Sequence, residues 1–554
     1  MKSHNFAALL LLPTLLAGAP ELLAQGAPPG YRSYDNALAP IRFYYPIRYK
    51  VLPLPPTEKV LIARYLQHRP PQELSKAEKK NFKGQEPRVY AFFFEAKPVT
   101  TQEEKNNKKD KAPRSVREAM EARSSVASWG EFKSKRLKGW RVEPVRRKEM
   151  HYELSFPSKL PKEKAKRRGY LVLKRKGRKV MGVFGHSFPA HYKRQRKEII
   201  KMSWGLDLWK ERKQNYRNAQ LDRMYQGKDY KGIERRKKVR REMSKGWKAL
   251  DTEHFILVYD TRDKGLVHRI ARDIEAMRKV YKEIFPPEHP IDAVSIVRIC
   301  KNKTEYHQYG GPSGSGGFWH PGNEELVFFD YDQEQREKTQ KERKKQRRRL
   351  TDKDSLLVLY HEAFHQFIHY SIGEFSPHDW FNEGFGDYFS GAVISKYKKT
   401  VKVIGPSPWR INLAKNQCEF RHGFVPLSRL LKAERGEFYH PARRGLYYAA
   451  AWSFIYFLRN SDKVAKHPKW SKLLMTYFES IKKHYKAEIA KAGKDPSLKA
   501  KHRASALARV AAVKDATAGI DLKKLESAWR EYIVKMHNPW RSQRVIPKKY
   551  RKGK

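Results

Sequence analysis

The stretch YHEAFHQFIHYSIGEFSPHDWFNEGFGDYF, Tyr360 to Phe389, constrains this chain more than any other. His361 and His365 stand four residues apart on a predicted helix, so their imidazoles leave one face a turn apart. At that separation two neutral rings can hold a single ion. Glu362 points about 100° further round the helix. From there its carboxylate is badly placed to ligate, but it can reach a water held on the ion and take its proton. A catalytic zinc usually has three protein ligands. A third candidate lies 18 residues beyond His365, where WFNEGFGDYF, Trp380 to Phe389, reads as a loop entering a second helix. Glu383 can complete a His2Glu set and leave the fourth position to water. Asp387, one turn on, can accept the free ring N–H of a ligating histidine and fix its tautomer. His369, two turns past His361, has drifted about 80° from it and is expected to pack or to support the site rather than to ligate.

HEAFH followed by NEGFGD resembles the gluzincin branch of the zinc metallopeptidases, in which HExxH on one helix is completed by Glu on the next. The resemblance implies an α+β domain: a small mixed sheet with an edge strand beside the HExxH helix, followed by a helical subdomain. It implies Zn2+ held by His361, His365 and Glu383, with Glu362 as general base and Asp387 behind a ligand. The WFNEGFGDYF wording is closest to a group of secreted bacterial proteins with a peptidase-like domain and largely unknown substrates. The interval from His365 to Glu383 is slightly shorter than in well-known gluzincins, so a tighter connecting loop is expected. Tyr448 resembles the tyrosine that gluzincins use to hydrogen-bond the tetrahedral oxyanion; a core or rim tyrosine is the alternative. Gly317, Phe318 and Trp319 correspond to the edge strand that borders the substrate cleft. The alternative there is an ordinary hairpin with a glycine-rich turn.

Composition narrows the remaining choices. The chain has 554 residues, 40% of them hydrophobic and 12% aromatic, which excludes a disordered polybasic tail. With 118 Lys+Arg against 59 Asp+Glu the formal charge is +59, a field that attracts any polyanion. The excess runs along the whole chain, so a compositional bias explains it as well as a specific ligand does. Electrostatic association with anionic polymers or a membrane surface is expected. Specific nucleic-acid binding is not, because no finger, RNP or helix-turn-helix wording is present. Cys300 and Cys418 exclude a disulfide framework. They can form one bridge or remain buried thiols, and spacing does not decide.

In chain order, residues 1–27 read as a signal peptide: Lys2, then the apolar Phe6 to Leu16, then Ala24-Gln25-Gly26. A secreted or periplasmic location follows. Residues 28–247 form a basic N-terminal region of unknown fold, with a strand over Val89–Glu95 and a hairpin turning at Lys176-Gly177. Its Lys/Arg-laden helical end, RRKKVRRE, reads as a solvated helix face or, less simply, as a grip on phosphates. The gluzincin-like domain spans 248–545 and opens β-α-β, with Glu253–Tyr259, Leu266–Ile284 and Ala293–Cys300. A basic tail occupies 546–554. Gln335–Leu350 is an inserted basic stretch whose charge is expected to favour acidic substrates. The expected function is an exported zinc metallopeptidase acting on a peptide or protein substrate. The alternative is a polyanion- or wall-binding protein that keeps the fold as a scaffold.

Overall fold

The computed structural model describes residues 27–539 apart from 35–38, 68–87, 98–112, 157–166, 188, 209–211, 244–245, 334–351, 396, 398 and 422. The expected signal peptide up to residue 26, the insert Gln335–Leu350 and the tail 546–554 lie outside the described residues.

The N-terminal region is built on a seven-stranded antiparallel sheet. Its strands are β1 (Tyr49–Leu52), β2 (Leu61–Gln67), β3 (Arg88–Glu95), β4 (Arg141–Pro144), β5 (His151–Phe156), β6 (Arg167–Lys176) and β7 (Lys179–Ser187), in the order β1-β2-β3-β7-β6-β5-β4. Successive side chains alternate between faces, and both faces are covered. Val89 and Ala91 of β3 join one core with Tyr192, Ile199 and Met202 of helix α1 (Pro189–Trp204). Phe92 and Phe94 join a second core with Phe132. The β6–β7 hairpin turns through Gly177 and Arg178, one residue later than expected. Gly177 sits at φ 57°, a left-handed conformation that glycine adopts without strain.

Helix α2 (Ile233–Glu242) carries RRKKVRRE, and here the expectation needs correction. Arg236 is fully buried. It donates to the carbonyls of Lys231, Thr252, Glu253 and Phe255 and pairs with Asp251 at 3.0 Å. Arg240 reaches the other oxygen of Asp251 at 2.6 Å. Val239 enters the core of the following sheet. This turn of the helix is an internal clamp on the chain entering that sheet, because the backbone carbonyls there have a guanidinium as their partner.

The second sheet is mixed. Strands β8 (Lys248–Asp251), β9 (Phe255–Tyr259), β10 (Ser295–Cys300), β11 (Gly317–His320) and β12 (Glu325–Phe329) lie in the order β8-β9-β10-β12-β11. The central three are parallel and the two edges antiparallel. Helix α3 (Lys264–Ile284) makes the crossover from β9 to β10 and buries Leu266, Ile270, Ile274, Met277 and Tyr281. Helices α4 (Asp352–Ser371), α5 (Asp379–Phe389), α6 (Ile411–Phe420), α7 (Arg444–Asn460), α8 (Leu473–Lys491), α9 (Leu498–Ala516) and α10 (Leu522–Lys535) follow. The architecture is α+β. Tyr281 donates to the Tyr360 carbonyl and Tyr360 donates to Asp273, which ties α4 to α3. Lys415 of α6 caps the carbonyls of Ile533, Val534 and Met536 at the end of α10. Cys300 and Cys418 are free, buried thiols. Among the described residues no helix is long and apolar enough to cross a membrane.

Removing one partner of a buried, hydrogen-bonded ion pair costs about 3–5 kcal/mol. Arg236→Met is therefore expected to lower the urea midpoint by a corresponding amount, measured by tryptophan fluorescence. An unchanged midpoint would show that the clamp contributes nothing.

Candidate metal centre

Helix α4 is apolar on most of its circumference, and Leu359, Phe364, Phe367 and Ile368 sink into the core. His361, Glu362 and His365 turn instead towards α5 and the edge strand β11. Helix α5 is buried at every position. Its start is held by Tyr477, whose hydroxyl accepts the His378 backbone N–H at 2.9 Å. Two glycines set how close α5 comes to its neighbours. A Cβ at Gly384 would stand 2.8 Å from Ile455 and 2.9 Å from the Ala451 carbonyl of α7. A Cβ at Gly386 would stand 2.8 Å from Cε1 and Nδ1 of the His361 ring, which lies directly on the α5 backbone.

Ligand atoms of His361, His365 and Glu383 fall within 4.8 Å of one another. His361 Nε2 is 3.0 Å from Glu383 Oε2, and His365 Nε2 is 3.5 Å from Oε1. The second nitrogen of each ring is also spoken for. His365 Nδ1 is 3.0 Å from Asn382 Oδ1, which favours an N–H there and a free lone pair on Nε2. His361 Nδ1 faces Asp387 Oδ1 at 3.2 Å, an ion-pair distance without hydrogen-bond alignment. Asp387 is completely buried and is backed by Arg410, with Nε 2.5 Å from Oδ2. Burial alone would raise the pKa of Asp387, but Arg410 and His361 hold it below the ordinary value. Glu383 behaves likewise: burial pushes up, and the two histidines pull it well down.

These residues suit zinc. Two imidazole nitrogens and one carboxylate oxygen converge in a buried cluster, which is the donor set of a three-ligand catalytic site. Both nitrogens of His361 face carboxylate oxygens, so a neutral ring needs a cation on one side.

Glu362 lies beside this cluster. Burial raises its pKa first, His365 and His361 lower it, Glu383 raises it, and a hydrogen bond from the Trp319 backbone lowers it, with a net rise. Strand β11 therefore touches Glu362 directly. A Cβ at Gly317 would come within 3.1 Å of Glu362 Cγ, so only glycine lets the strand pass this close. Phe318 turns away to pack on Tyr306, and the Trp319 ring lies against His369.

Tyr448 is half-buried one turn into α7. It hydrogen-bonds Glu383, and the Arg410 guanidinium stacks 4.5 Å over its ring. Sequence reading missed three members of the site. Tyr439 donates to Glu383; Arg410 holds Asp387; Asn382 orients His365. Asn382 stood inside the WFNEGFGDYF stretch without a role, whereas Arg410 and Tyr439 lie in stretches with no motif. Other histidines and carboxylates near by stand outside the cluster. His378 bonds Tyr477, and burial drops its pKa to about 3. His369 is pushed to about 4 by burial. Asp379 lies near Tyr439 and Arg435, and burial together with Glu383 raises it to about 6.

The sequence matches no known protein-family profile, and no curated protein is significantly similar to it.

Gly386→Ala should displace the His361 ring and weaken zinc binding by roughly 10–100-fold, the range for losing a ligand's orientation. Gly436→Ala, with nothing within 4 Å of the added methyl, is the matched control. Titration against a fluorescent zinc chelator reads both. Equal affinities would mean that the ring does not depend on the glycine.

Proposed function

We propose that the chain is an exported zinc metallopeptidase of gluzincin type that hydrolyses peptide bonds in a peptide or protein substrate. The observation that carries this reading is the convergence of His361, His365 and Glu383 beside a buried glutamate whose pKa is raised. Held by those three residues, Zn2+ supplies Lewis acidity and a bound water of lowered pKa. Glu362 takes a proton from the water and passes it to the leaving amine. Its raised pKa suits both transfers, because a base of ordinary acidity gains a proton too weakly near neutral pH. The hydrogen bond from the Trp319 backbone fixes its carboxylate towards the cleft. Tyr448 and Tyr439 place hydroxyl donors next to Glu383, and Tyr448 is the donor proposed for the developing oxyanion. Gly317, Phe318 and Trp319 offer an edge strand along which a substrate backbone can add. A scaffold that only bound polyanions would have no use for a buried base.

Export belongs to the same proposal and rests on Lys2, Phe6–Leu16 and Ala24–Gly26. An N-terminal sequence of the mature protein that still begins at Met1 would remove it.

Glu362→Gln is expected to keep its zinc and lose turnover of a mixed peptide library by about 10²–10⁴-fold, whereas Glu383→Ala loses the metal. A Glu362→Gln protein as active as wild type sinks the mechanism. The pH profile follows from the same residue. The proposed base works only when deprotonated, so kcat/KM should fall as pH decreases through its pKa. A kcat/KM that does not fall on the acid side would contradict a carboxylate base.

A further inference from the structure

One cation at the metal centre has most of its bonding capacity unspent. Arg435 opens a one-turn helix, Arg435–Phe438. Its guanidinium lies 4.7 Å above the centre of the Tyr439 ring. Nη1 is 3.4 Å from Asp379 Oδ1, and the Tyr439 hydroxyl stands 3.3 Å from that same oxygen while also donating to Glu383. Ring and carboxylate thus hold the guanidinium next to the proposed metal ligand. Yet 73% of the side chain remains exposed.

Its neighbour Arg410 offers a contrast. That guanidinium is buried under Tyr448 and committed to Asp387. Arg435 makes one long contact and keeps most of its five N–H donors for a ligand. A planar guanidinium already immobilised on an aromatic face loses little freedom when it takes a carboxylate through two parallel hydrogen bonds.

We infer that Arg435 anchors a substrate carboxylate, and that the preferred substrates are peptides with a carboxylate close to the cleaved bond. The inference rests on the peptidase reading and narrows it. An Asp or Glu side chain and a free C-terminus carry the same chemistry, so the test separates them. This anchor also differs from the expected effect of the Gln335–Leu350 insert, which would act through a screened field rather than by contact.

Binding and turnover are measured apart. Zinc-loaded Glu362→Gln protein is titrated with fluorescent peptides in two matched pairs, Asp against Asn near the cleaved bond and C-terminal acid against amide. Wild-type protein gives kcat/KM for the same four. One pair should show a preference for the carboxylate of roughly 10–100-fold, the range for a charge-assisted hydrogen bond. The pair that shows it identifies the source. Adding Arg435→Gln should bring the ratio close to one, and Arg435→Lys should restore it in part. Arg444→Gln, an exposed arginine one turn before Tyr448, should leave the ratio in place. Equal binding within both pairs overturns the anchor, as does loss of the preference in Arg444→Gln to the same degree, which would indicate a general positive field. Discrimination in binding without wild-type turnover removes the peptidase reading and leaves the anchor standing. Turnover without discrimination does the reverse.

Discussion

The candidate metal centre depends on how closely α5 can lie against α4 on one side and α7 on the other. Two positions of α5 tolerate nothing larger than hydrogen, Gly384 against α7 and Gly386 against the His361 ring. Glycine inside a helix costs about 1 kcal/mol relative to alanine, so α5 is intrinsically a poor helix. Tertiary burial offsets that cost: Trp380, Phe381, Phe385 and Phe389 are all nearly inaccessible, and their rings pack on Phe285, Phe364, Phe454 and Tyr477. The helix that carries the third candidate ligand exists because the core around it exists. The same closeness sets the Glu383 carboxylate against both imidazoles.

How much of this was legible in the sequence follows from the range of each interaction. HEAFH and NEGFGD were legible because metal chemistry demands particular residue types at helical spacing, and that spacing is local. The β-α-β opening was legible too, since α3 has one apolar stripe and β9 and β10 are short apolar runs. Arg410 and Tyr439 were not. Each reaches the centre across the fold, from 23 residues beyond Asp387 and 56 beyond Glu383, and nothing next to them marks the direction of the side chain. The N-terminal sheet was legible only in pieces, the strand over Val89–Glu95 and the hairpin beside Gly177. It is buried on both faces, so a strand such as RVYAFFFE shows no apolar-polar alternation to say which face meets solvent. RRKKVRRE misled because a run of charge shows how many cations are present and not which of them turn inward.

That last point bears on the net charge of +59. A fraction of the cations stabilises the interior. Arg236 fills the carbonyl-lined entrance to the second sheet. Arg298 makes a two-point pair with Glu325 inside it, with the closer contact at 2.9 Å. Lys415 ends the last helix. Each buried cation is surrounded by acceptors, as an isolated one would be prohibitively costly to desolvate. The basic composition is thus partly architectural, and only the exposed remainder is available to attract polyanions.

The electrostatics of the centre favour a divalent ion on grounds separate from ligand geometry. Glu362, Glu383 and Asp387 are buried carboxylates packed around His361 and His365, and among the described residues Arg410 is the guanidinium committed to them. Asp379, further out, has Arg435. With neutral imidazoles the three carboxylates outnumber the guanidinium by two charges, which is the charge of one zinc ion. Burial presses the His361 pKa down, but Asp387 and Glu383 together lift it well above the ordinary value, and Glu362 is raised as well. Both shifts have the same origin, negative charge packed into a buried cluster. Metal and protons therefore compete for the same negative charge. Glu362, the proposed base, is favoured in its deprotonated form when a metal supplies the positive charge.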